Sequence, residues 1–355
     1  MEFKILTINP GSTSTKIAVF ANEREVFSKT LRHSAQELSV FPTVASQFQF
    51  RKEMILSTLR QEGFDVYQLH AIVGRGGLVK PIESGIYEVD ETLAHDLEYP
   101  IMGEHASNLG GLIARDIAKE LNTGIKAYIA DPVVVDEMEE TARISGHPAI
   151  PRVSIFHALN QKAIARTYAR EIGKEYEELN LIVAHLGGGI SVGAHCHGRV
   201  IDVNNALDGE GPFSPERSGG LPTGSLVNLC FNGKPKAEIK KMLKGEGGVV
   251  AYLGTNDMRI VTEKTNDDPQ YALIKNAMCY QIGKEIGAMA TVLKGKVDAI
   301  LLTGGIAYAG SITDYISEMV SFIATVKVYP GEDEMCALAM NGLMVLRGEV
   351  QAKKY

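Results

Sequence analysis

The sequence predicts an α/β protein built from a duplicated domain. Three short β-rich runs open the chain and are followed by helical and β-rich periods in alternation, which is the pattern of a sheet covered by helices. A similar order starts again roughly 175 residues later, a separation far beyond the periods of solenoid repeats. Glycine, at 36 residues, exceeds its usual share of about 7% and is clustered in the turns between β-rich runs. We therefore expect two related halves with specialised turns.

Composition excludes several function classes. The chain has 355 residues, 45% of them hydrophobic, with 36 Lys and Arg against 43 Asp and Glu, so its formal net charge is −7. This length predicts two domains, since a domain commonly holds roughly 100 to 200 residues. A mildly acidic chain without Lys/Arg blocks lacks the positive surface that nucleic-acid binding requires. We expect a small-molecule function and no nucleic-acid partner.

Cysteine spacing and the apolar runs favour a cytoplasmic protein. The chain has four cysteines, Cys196, Cys230, Cys279 and Cys336. Their spacing matches neither a structural zinc motif nor a compact disulfide framework. The first residues, MEFKILTIN, enter a β-rich pattern at once and lack the features of a signal peptide. Lys284 and Glu285 interrupt the most apolar helical stretch, which falls short of the ~18 residues of a membrane span, so no membrane partner is expected.

The first half reads as a meander followed by alternating elements. β-rich runs at residues 3–8, 16–20 and 25–30 predict three antiparallel strands with polar turns between them. Helix, strand, helix and strand periods then follow, at residues 43–62, 70–73, 105–121 and 127–130. Together they predict one α/β layer.

The second half repeats this plan. After a helical period at residues 159–176, three β-rich runs are predicted with glycine turns between them, at residues 179–185, 190–195 and 200–203. A long helix, a strand and a final helix then follow, at residues 269–294, 299–303 and 334–346. No Pro- or Ser-rich linker separates the halves, so the boundary near residue 150 depends on Gly146-His147-Pro148 and Pro151. We expect domains at 1–150 and 151–333, with the segment 334–355 packing back on the first.

The turn after the first strand is the first candidate for chemistry. Glycine lets the backbone approach an anion, successive N–H groups form a concave set of donors, and hydroxyls add further donors. The segment is not a Walker loop, because the residues that follow alternate as a strand and not as a helix. It predicts binding of terminal phosphates, with a plain Ser- and Thr-rich hairpin turn as the alternative. The residues assigned to it are Asn9, Gly11, Ser12, Thr13, Ser14 and Lys16.

Two more glycine turns strengthen that interpretation. Gly187, Gly188 and Gly189 separate two apolar β-rich runs, an arrangement that is costly in backbone entropy unless a ligand approaches the chain. Gly304 and Gly305 end an apolar strand and leave room for a base and sugar at its carboxyl end. Each turn alone also fits an ordinary tight turn. Because the first two occupy corresponding places in the two halves, the set of three predicts a nucleotide site.

Five motifs in one order resemble the butyrate kinases. They are NPGSTSTK from Asn9, VGRGG from Val73, AHLGGGISV from Ala184, ERSGGLPTG from Glu216 and LLTGGIA from Leu301. The similarity covers essentially the whole chain. The butyrate kinases belong with the acetate and propionate kinases in the sugar kinase, Hsp70 and actin superfamily. The resemblance implies two duplicated ribonuclease H-like domains, the actin-like ATPase fold, with a central interdomain cleft.

The activity implied by the resemblance is reversible phosphoryl transfer between ATP and a short-chain fatty acid such as butyrate, giving butyryl phosphate and ADP. It implies ATP as co-substrate, Mg²⁺ as cofactor and a homo-oligomer, a dimer or larger. The acid is ionised at neutral pH, so the reaction needs no general base. Repulsion between two anions is the obstacle, and we expect catalysis from cations and in-line positioning.

Two other functions fit the same fold class. A sugar kinase would need an aspartate base at a hydroxyl group. A non-enzymatic actin- or Hsp70-like module would use the nucleotide to drive assembly or peptide binding, and 355 residues leave little room for an additional substrate domain.

The resemblance also implies the reacting residues. Arg217 matches an arginine that neutralises the transferred phosphoryl group in the acetate kinases. Arg75 is assigned to the substrate carboxylate, because a planar fork meets two oxygens at once. The acetate kinases carry their carboxylate-binding arginine a few residues earlier, so Arg75 is a substitution. Asp131 falls where the family has an aspartate near metal and substrate.

A histidine segment and an acidic cluster complete the implied site. His157 lies in a segment similar to the acetate kinases, which carry a second histidine where Gln161 stands here. This departure assigns phosphoryl binding to His185 or to an amide donor. The cluster Glu332-Asp333-Glu334 resembles the source of a magnesium-coordinating glutamate. Glu334, together with Asn9, is the expected metal-binding residue, and capping of the last helix is the alternative reading of the cluster.

The segment His195-Cys196-His197 has metal-binding residue types at close spacing. It precedes a predicted Gly198-Arg199 turn and has no third ligand within range. We interpret it as the solvent-facing end of a strand.

Overall fold

The computed structural model describes residues 2–355, which form two sheets and the helices around them. The strands, numbered along the chain, are β1 Lys4–Pro10, β2 Ser14–Ala21, β3 Arg24–Arg32, β4 Ala71–Arg75, β5 Ile86–Glu88, β6 Lys126–Ala130, β7 Asn180–Leu186, β8 Ile190–Cys196, β9 Arg199–Val203, β10 Ala299–Gly304 and β11 Val326–Pro330.

The α-helices are numbered in the same way. They are α1 Ala35–Ser39, α2 Phe48–Gln61, α3 Glu91–Glu98, α4 Asn108–Leu121, α5 Glu140–Arg143, α6 Ala158–Glu171, α7 Thr223–Cys230, α8 Lys236–Leu243, α9 Val249–Leu253, α10 Met258–Lys264, α11 Pro269–Val292, α12 Gly310–Val320 and α13 Glu334–Arg347. Within residues 2–355, no helix combines the length and apolarity that a membrane crossing requires.

The first compact unit contains the chain up to Val135 together with Asp333–Tyr355. Its sheet has the order β3-β2-β1-β4-β6-β5. β1 is antiparallel to β2 but parallel to β4, and β4 is parallel to β6. The carboxyl ends of β1, β4 and β6 therefore lie at one edge of the sheet, which is where side chains from distant parts of the sequence meet.

Successive side chains of β1 and β2 point to opposite faces of the sheet, and both faces of these two strands are covered. Leu6 and Ile8 of β1 pack into the core that α2 and α4 cover. Ala18 and Phe20 of β2 face the other way and contact Met335 of α13. All of these strand residues are at most 2% exposed. The last helix is thus held in the first unit by apolar burial.

The second unit, Asp136–Glu332, repeats the plan. Its sheet has the order β11-β10-β7-β8-β9, in which β7, β8 and β9 form an antiparallel meander and β10 runs parallel to β7. This matches the order β3-β2-β1-β4 of the first unit read from the opposite end. The structure confirms the α/β class and the repeated strand plan.

The boundary between the two units differs from the boundary predicted from the sequence. The sequence put it near residue 150, and the structure puts it between Val135 and Asp136. Residues just after this point already pair with the second sheet: Glu137 Oε2 accepts the Val200 N–H at 2.9 Å, and Glu139 N–H donates to Ile201 O at 3.0 Å. No composition change marks such pairing, which is why the sequence did not indicate it.

Several elements have no counterpart in the sequence prediction. They are β5, β11, α1, α3, α5, α7, α8, α9, α10 and α12. Most are short, and α7 has no buried residue at all. Periodicity is a weak signal in elements of this length and exposure.

Candidate active site

The first glycine turn joins β1 to β2 and turns its carbonyl groups inward. Gly11 N–H donates to Ser14 O at 2.7 Å, and His33 N–H donates to Thr13 O at 2.9 Å. Arg51 of α2 donates to the carbonyl oxygens of residues 11, 12 and 14 at 2.9, 3.2 and 3.0 Å. Ser12 and Thr13 themselves are exposed. The outer side of the turn therefore presents amide and hydroxyl donors.

Lys16 lies on β2 directly opposite Asn9 of β1 in the strand register. Its side chain is half-buried. The strand pairing thus places a cation and an amide side by side at the end of the turn.

Asn9, Arg75 and Glu334 form one cluster at the carboxyl edge of the first sheet. Parallel pairing aligns Ile8 with Gly74, so the residues that follow them are neighbours. Arg75 Nη1 donates to Glu334 Oε2 at 3.0 Å and to Asn9 Oδ1 at 3.3 Å, and Asn9 Nδ2 also donates to Glu334 Oε2. The side chains of Arg75 and Glu334 are 26% and 16% exposed. An amide, a guanidinium and a carboxylate are held together where solvent and ligands reach them.

The three consecutive acidic residues point to three different places. Glu332 Oε1 lies 3.1 Å from His185 Nε2 in the second unit. Asp333 Oδ1 accepts the Cys336 N–H at 2.9 Å and caps α13. Glu334 joins Arg75 at the sheet edge. The metal and capping interpretations therefore fall on different members of the cluster.

Asn9 and Glu334 have the donor chemistry that Mg²⁺ takes. This ion prefers oxygen ligands and commonly uses only one or two protein carboxylates, keeping waters and substrate phosphates for the rest. Within the part of the chain that the structure describes, no group of three His, Cys, Asp or Glu residues is arranged to hold a metal. The cluster thus offers oxygen ligands of the kind that Mg²⁺ takes, from one amide and one carboxylate.

Asp131 lies at the same edge, immediately after β6, with a left-handed φ of 37°. It is 2% exposed. Its Oδ1 accepts the Ser84 hydroxyl at 2.6 Å and the Gly85 N–H at 2.9 Å. In this structure the carboxylate fastens the neighbouring loop through these two hydrogen bonds.

The second glycine turn, Gly187–Gly189, connects β7 to β8 and is packed against Arg217. A Cβ atom on Gly189 would lie 1.9 Å from Arg217 Nη1, so any other residue would displace the guanidinium from this position. Ser214 Oγ donates to Gly188 O at 2.6 Å and fastens the turn. The close approach of Arg217 gives a reason for glycine at position 189. The sequence had suggested only the approach of a ligand.

Arg217 is a half-buried cation with unused donor capacity. Its Nη1 donates to Ala206 O at 2.6 Å. Its Nε is buried and, within the described residues, has no hydrogen-bond partner. Burial lowers the pKa of Arg217 from its usual value, but a guanidinium titrates so high that it stays charged at neutral pH. A buried donor left unpaired costs about 1–3 kcal/mol, which is typical of a group kept for a ligand.

His185 lies in β7 just before the same turn and is 1% exposed. Its ring stacks on His157 with centroids 3.9 Å apart and an 18° interplanar angle. Its Nδ1 is also a buried atom without a partner in residues 2–355. His185 and Arg217 thus bring two unsatisfied nitrogen atoms to the glycine turn, although the sequence treated them as separate motifs.

A buried hydrogen-bond chain runs behind the histidine pair. Tyr176 Oη lies 2.6 Å from His195 Nδ1, and His195 Nε2 lies 2.9 Å from Gln161 Oε1. Gln161 Nε2 donates to Ser191 Oγ at 2.9 Å, and this hydroxyl lies 2.8 Å from His157 Nδ1. Because the amide oxygen of Gln161 only accepts, the chain favours a proton on His195 Nε2, and His195 Nδ1 then accepts from the Tyr176 hydroxyl.

This chain corrects one interpretation of the sequence. His195 was read as part of a solvent-facing strand end, and that is wrong, since it is 0% exposed. His197 is exposed, with a left-handed φ of 48° at the β8–β9 turn. Alternation along β8 turns His195 to the side that α6 covers, and a local pattern of three residues does not reveal what covers a strand.

We expect His195 to make stability fall at mildly acidic pH. Burial is the main reason that the pKa of His195 lies well below its ordinary value of 6.5, and the nearby positive charges of Lys162 and Arg166 lower it further. The unfolded chain therefore takes up a proton below about pH 6.5 that the folded chain refuses. Above that pH, His195 should have no effect on the pH dependence of the free energy of unfolding. Below it, the free energy of unfolding of the parent should fall with each pH unit by up to ~1.4 kcal/mol more than that of His195→Asn.

Urea denaturation of both proteins between pH 5 and 8 checks this expectation. Parallel pH dependences in the parent and in His195→Asn would show that His195 takes up its proton in the folded state. His197→Ala, which removes an exposed histidine two residues away, is the control and should leave the slope unchanged.

The third glycine turn lies against the second. Gly304 ends β10 with a φ of 95°, and a Cβ there would lie 2.3 Å from Leu186 O of β7. It also exchanges two backbone hydrogen bonds with Gly331, at 3.1 and 3.0 Å. Gly305 is exposed, and a Cβ there would meet no atom within 4 Å. Gly304 thus serves backbone packing, and Gly305 leaves open space at the end of the strand.

The structure gathers the residues assigned from the sequence into two groups, one in each unit. The first unit brings together Asn9, Arg75 and Glu334 at the end of the Gly11–Ser14 turn. The second brings together His185, Gly189 and Arg217. Sequence reasoning missed Arg51, whose only sequence signal is an ordinary charged position in an amphipathic helix.

Comparison with known proteins gives one consistent family. A model described as the Acetokinase family matches residues 150–327. The chain is 58% identical over 357 residues to butyrate kinase 2 from Clostridium acetobutylicum, with 100% of each chain covered.

Solved structures give the same result at the level of the backbone. The acetate kinase of Porphyromonas gingivalis superposes with a TM-score of 0.79 at 20% identity, covering 97% of this chain and 100% of that one. A propionate kinase from Francisella tularensis superposes with a TM-score of 0.74 at 18% identity, covering 96% and 98%. At these identities the likeness bears on the fold alone.

Proposed function

The chain belongs to the acetokinase family, and on that premise we propose that it phosphorylates butyrate or a closely related short-chain fatty acid with ATP, reversibly, to give the acyl phosphate and ADP. The observation that carries the proposal is the 58% identity to a butyrate kinase over the full length of both chains. The acetate kinase fold, found in the superposed structures, is of the actin-like ATPase type that nucleotide-dependent phosphotransferases use.

The substrate carboxylate is assigned to Arg75. A guanidinium offers two parallel N–H donors to two carboxylate oxygens, and such charge-assisted pairs are about twice as strong as neutral hydrogen bonds. Only Nη1 of Arg75 is engaged by Asn9 and Glu334, so the rest of the fork is available to the acid. Holding the carboxylate orients one oxygen for attack on phosphorus. The acid is already ionised, so Arg75 has no proton to remove.

The transferred phosphoryl group is assigned to Arg217, His185 and the Gly187–Gly189 turn. Charge on the equatorial oxygens is the main feature that the protein must stabilise in phosphoryl transfer. The buried Arg217 Nε and His185 Nδ1 atoms lack partners. An incoming phosphoryl oxygen would accept a hydrogen bond from Arg217 Nε, and from His185 Nδ1 in the tautomer that carries its proton there. Arg217 is held beside the turn by the Ala206 carbonyl, so its positive charge is already near the place where negative charge develops.

The remaining assignments concern the nucleotide and the metal. The Asn9–Lys16 turn is assigned to the polyphosphate, and Gly304 and Gly305 to the nucleoside. Asn9 and Glu334 would hold Mg²⁺, which when bound neutralises phosphate charge. Asp131 is assigned to positioning of the loop at Ser84 and Gly85.

A sugar kinase of this fold is the alternative that the experiment must exclude. Such an enzyme needs an aspartate free to accept a hydroxyl proton. Asp131 is 2% exposed and its Oδ1 already accepts two hydrogen bonds, which does not support that role.

Hydroxamate trapping tests the proposal. Incubation with ATP, Mg²⁺ and butyrate should give butyryl hydroxamate and an equal amount of ADP, and glucose in place of butyrate should release none. Initial rates with acetate, propionate, butyrate and isobutyrate should show acetate at least about tenfold below butyrate in kcat/KM, because each methylene contributes about 1–3 kcal/mol. Absence of trapped product with every acid would refute the carboxylate kinase assignment. The cytoplasmic location and the homo-oligomer expected from the sequence stay predictions, and light scattering tests the second.

A further inference from the structure

Arg51 is a buried cation that holds the first glycine turn from behind. It lies in α2, near the N-terminal end of the helix, and is 0% exposed. Nη1 donates to Gly11 O, Ser14 O and Thr15 Oγ1 at 2.9, 3.0 and 2.9 Å. Nη2 donates to Ser12 O at 3.2 Å. One guanidinium thus binds three carbonyl oxygens of the turn and the hydroxyl of the strand residue that follows it.

The remaining contacts of Arg51 are also with neutral groups. Nε and Nη2 donate to Gln47 Oε1 at 3.0 and 2.8 Å. Within residues 2–355 Arg51 forms no ion pair, whereas the adjacent Lys52 pairs with Asp116 and Glu120 at 2.6 and 2.5 Å. Burial lowers the pKa of Arg51 to about 10, so it remains charged at neutral pH. Its charge is solvated by hydrogen bonds but is not neutralised.

An unneutralised buried charge is expensive, and folded proteins normally pair it. A packing role alone does not explain the charge, because an uncharged side chain of similar volume would fill the space without desolvating an ion. The carbonyl groups that Arg51 binds are those of the turn to which the polyphosphate is assigned. An anion on the outer side of that turn would supply the missing negative charge.

The direction of the carbonyl groups supports the same conclusion. Arg51 takes the oxygens of residues 11, 12 and 14, and the His33 N–H takes that of Thr13. With these oxygens turned inward, the exposed Ser12 and Thr13 present donors and no backbone acceptor to a ligand. A carbonyl turned outward would repel phosphate oxygens, so the inward arrangement is a condition for anion binding.

We propose that Arg51 is the positioning residue of the polyphosphate site: its fork keeps the carbonyl groups of the Gly11–Ser14 turn away from the nucleotide, and its unpaired charge attracts the phosphates through the turn. Arg51 does not touch the nucleotide. The inference rests on the proposed function, since it assumes that this turn receives the phosphates of ATP or ADP.

Arg51→Lys tests the proposal, because lysine keeps the charge but lacks the planar fork. Equilibrium binding of ADP to the full chain, in the presence of Mg²⁺ and without acid, should weaken at least tenfold. KM for ATP should rise by a similar factor, and KM for butyrate should change less than twofold. The matched control is Lys52→Met, which disrupts a neighbouring cation of the same helix. It should lower the thermal midpoint but change the Kd for ADP less than twofold.

A second pair of variants covers the case in which Arg51→Lys does not fold. Thr15→Val removes one acceptor of Arg51, is nearly isosteric, and alters a residue that is 0% exposed and so does not reach a ligand. We expect the Kd for ADP to rise about three- to tenfold. The control is Thr58→Val. Thr58 is also buried and lies two helical turns beyond Arg51 on α2, and its substitution should leave the Kd for ADP unchanged.

The outcomes separate this inference from the proposed function. If the parent chain binds no ADP, the kinase assignment itself is wrong. If the parent binds ADP and the Arg51 and Thr15 variants bind it equally well, Arg51 is only a structural residue and the inference is refuted. Equal weakening by Lys52→Met would refute it too, since the effect would then follow from lost stability.

Discussion

Arg217→Ala is expected to lower kcat for butyryl phosphate formation by about 10³-fold or more, the range found for arginines that stabilise phosphoryl transfer. Arg217 is packed on Gly189 and is held by the Ala206 carbonyl, with its Nε buried and unpaired. Its charge is therefore in place before the reaction begins. Because the stabilised charge develops in the transition state, kcat should fall and KM for butyrate should change little.

The control for this variant is another arginine of the same unit. Arg259 pairs with Asp257 at 2.6 Å, and its side chain is 87% exposed, so Arg259→Ala should keep kcat within twofold of the parent. Steady-state rates at saturating ATP and butyrate are the measurement. A kcat for Arg217→Ala within tenfold of the parent would mean that another group stabilises the transferred phosphoryl.

Arg75→Ala is expected to lower kcat/KM for butyrate by about 10²- to 10⁴-fold. Two charge-assisted hydrogen bonds to the carboxylate are lost, each contributing about 1.5–3 kcal/mol. The loss should appear chiefly in KM for the acid. KM for ATP should stay within about threefold, because Arg75 is assigned to the acid and the polyphosphate is assigned elsewhere.

Two variants give this prediction its controls. Arg75→Lys keeps the charge but offers a point donor in place of a fork, so it should recover part of the affinity for butyrate. Arg115→Ala removes an arginine of the same unit that pairs with the exposed Glu91 and should be silent. If Arg75→Ala instead raised KM for ATP and left KM for butyrate unchanged, Arg75 would belong to the nucleotide and metal side of the site through Glu334.

The candidate site was predictable from the sequence where its signal is local. Three consecutive glycines between apolar runs indicate that another group comes close to the backbone. In the structure that group is the Arg217 guanidinium, which lies against Gly189. The turn after β1 was recognisable for the same reason, since glycine and hydroxyl residues concentrate donors in a short segment.

Other features were not predictable because they depend on residues distant in the chain. Arg51 contacts a turn about 40 residues earlier, and an arginine at a covered position of a helix looks like any other charged residue of that helix. His195 and Glu332 show the same limit. The first is buried because α6 covers β8. The second contacts His185 because β11 returns to the same sheet, where it pairs with β10, the neighbour of β7.

Order along the chain was enough to establish the α/β class, the repeated meander and the three glycine turns, because period-two and helical alternation and glycine clusters are properties of neighbouring residues. Three other features are visible only in the tertiary structure. They are the division of the units at Val135, the different contacts of Glu332, Asp333 and Glu334, and the burial of Arg51 without an ion-pair partner among the described residues. Charge compensation and hydrogen-bond saturation are sums over everything that surrounds a group. The surroundings of a group are defined only when distant segments have packed against one another, so the sequence alone does not show whether its charge or its hydrogen bonds are satisfied.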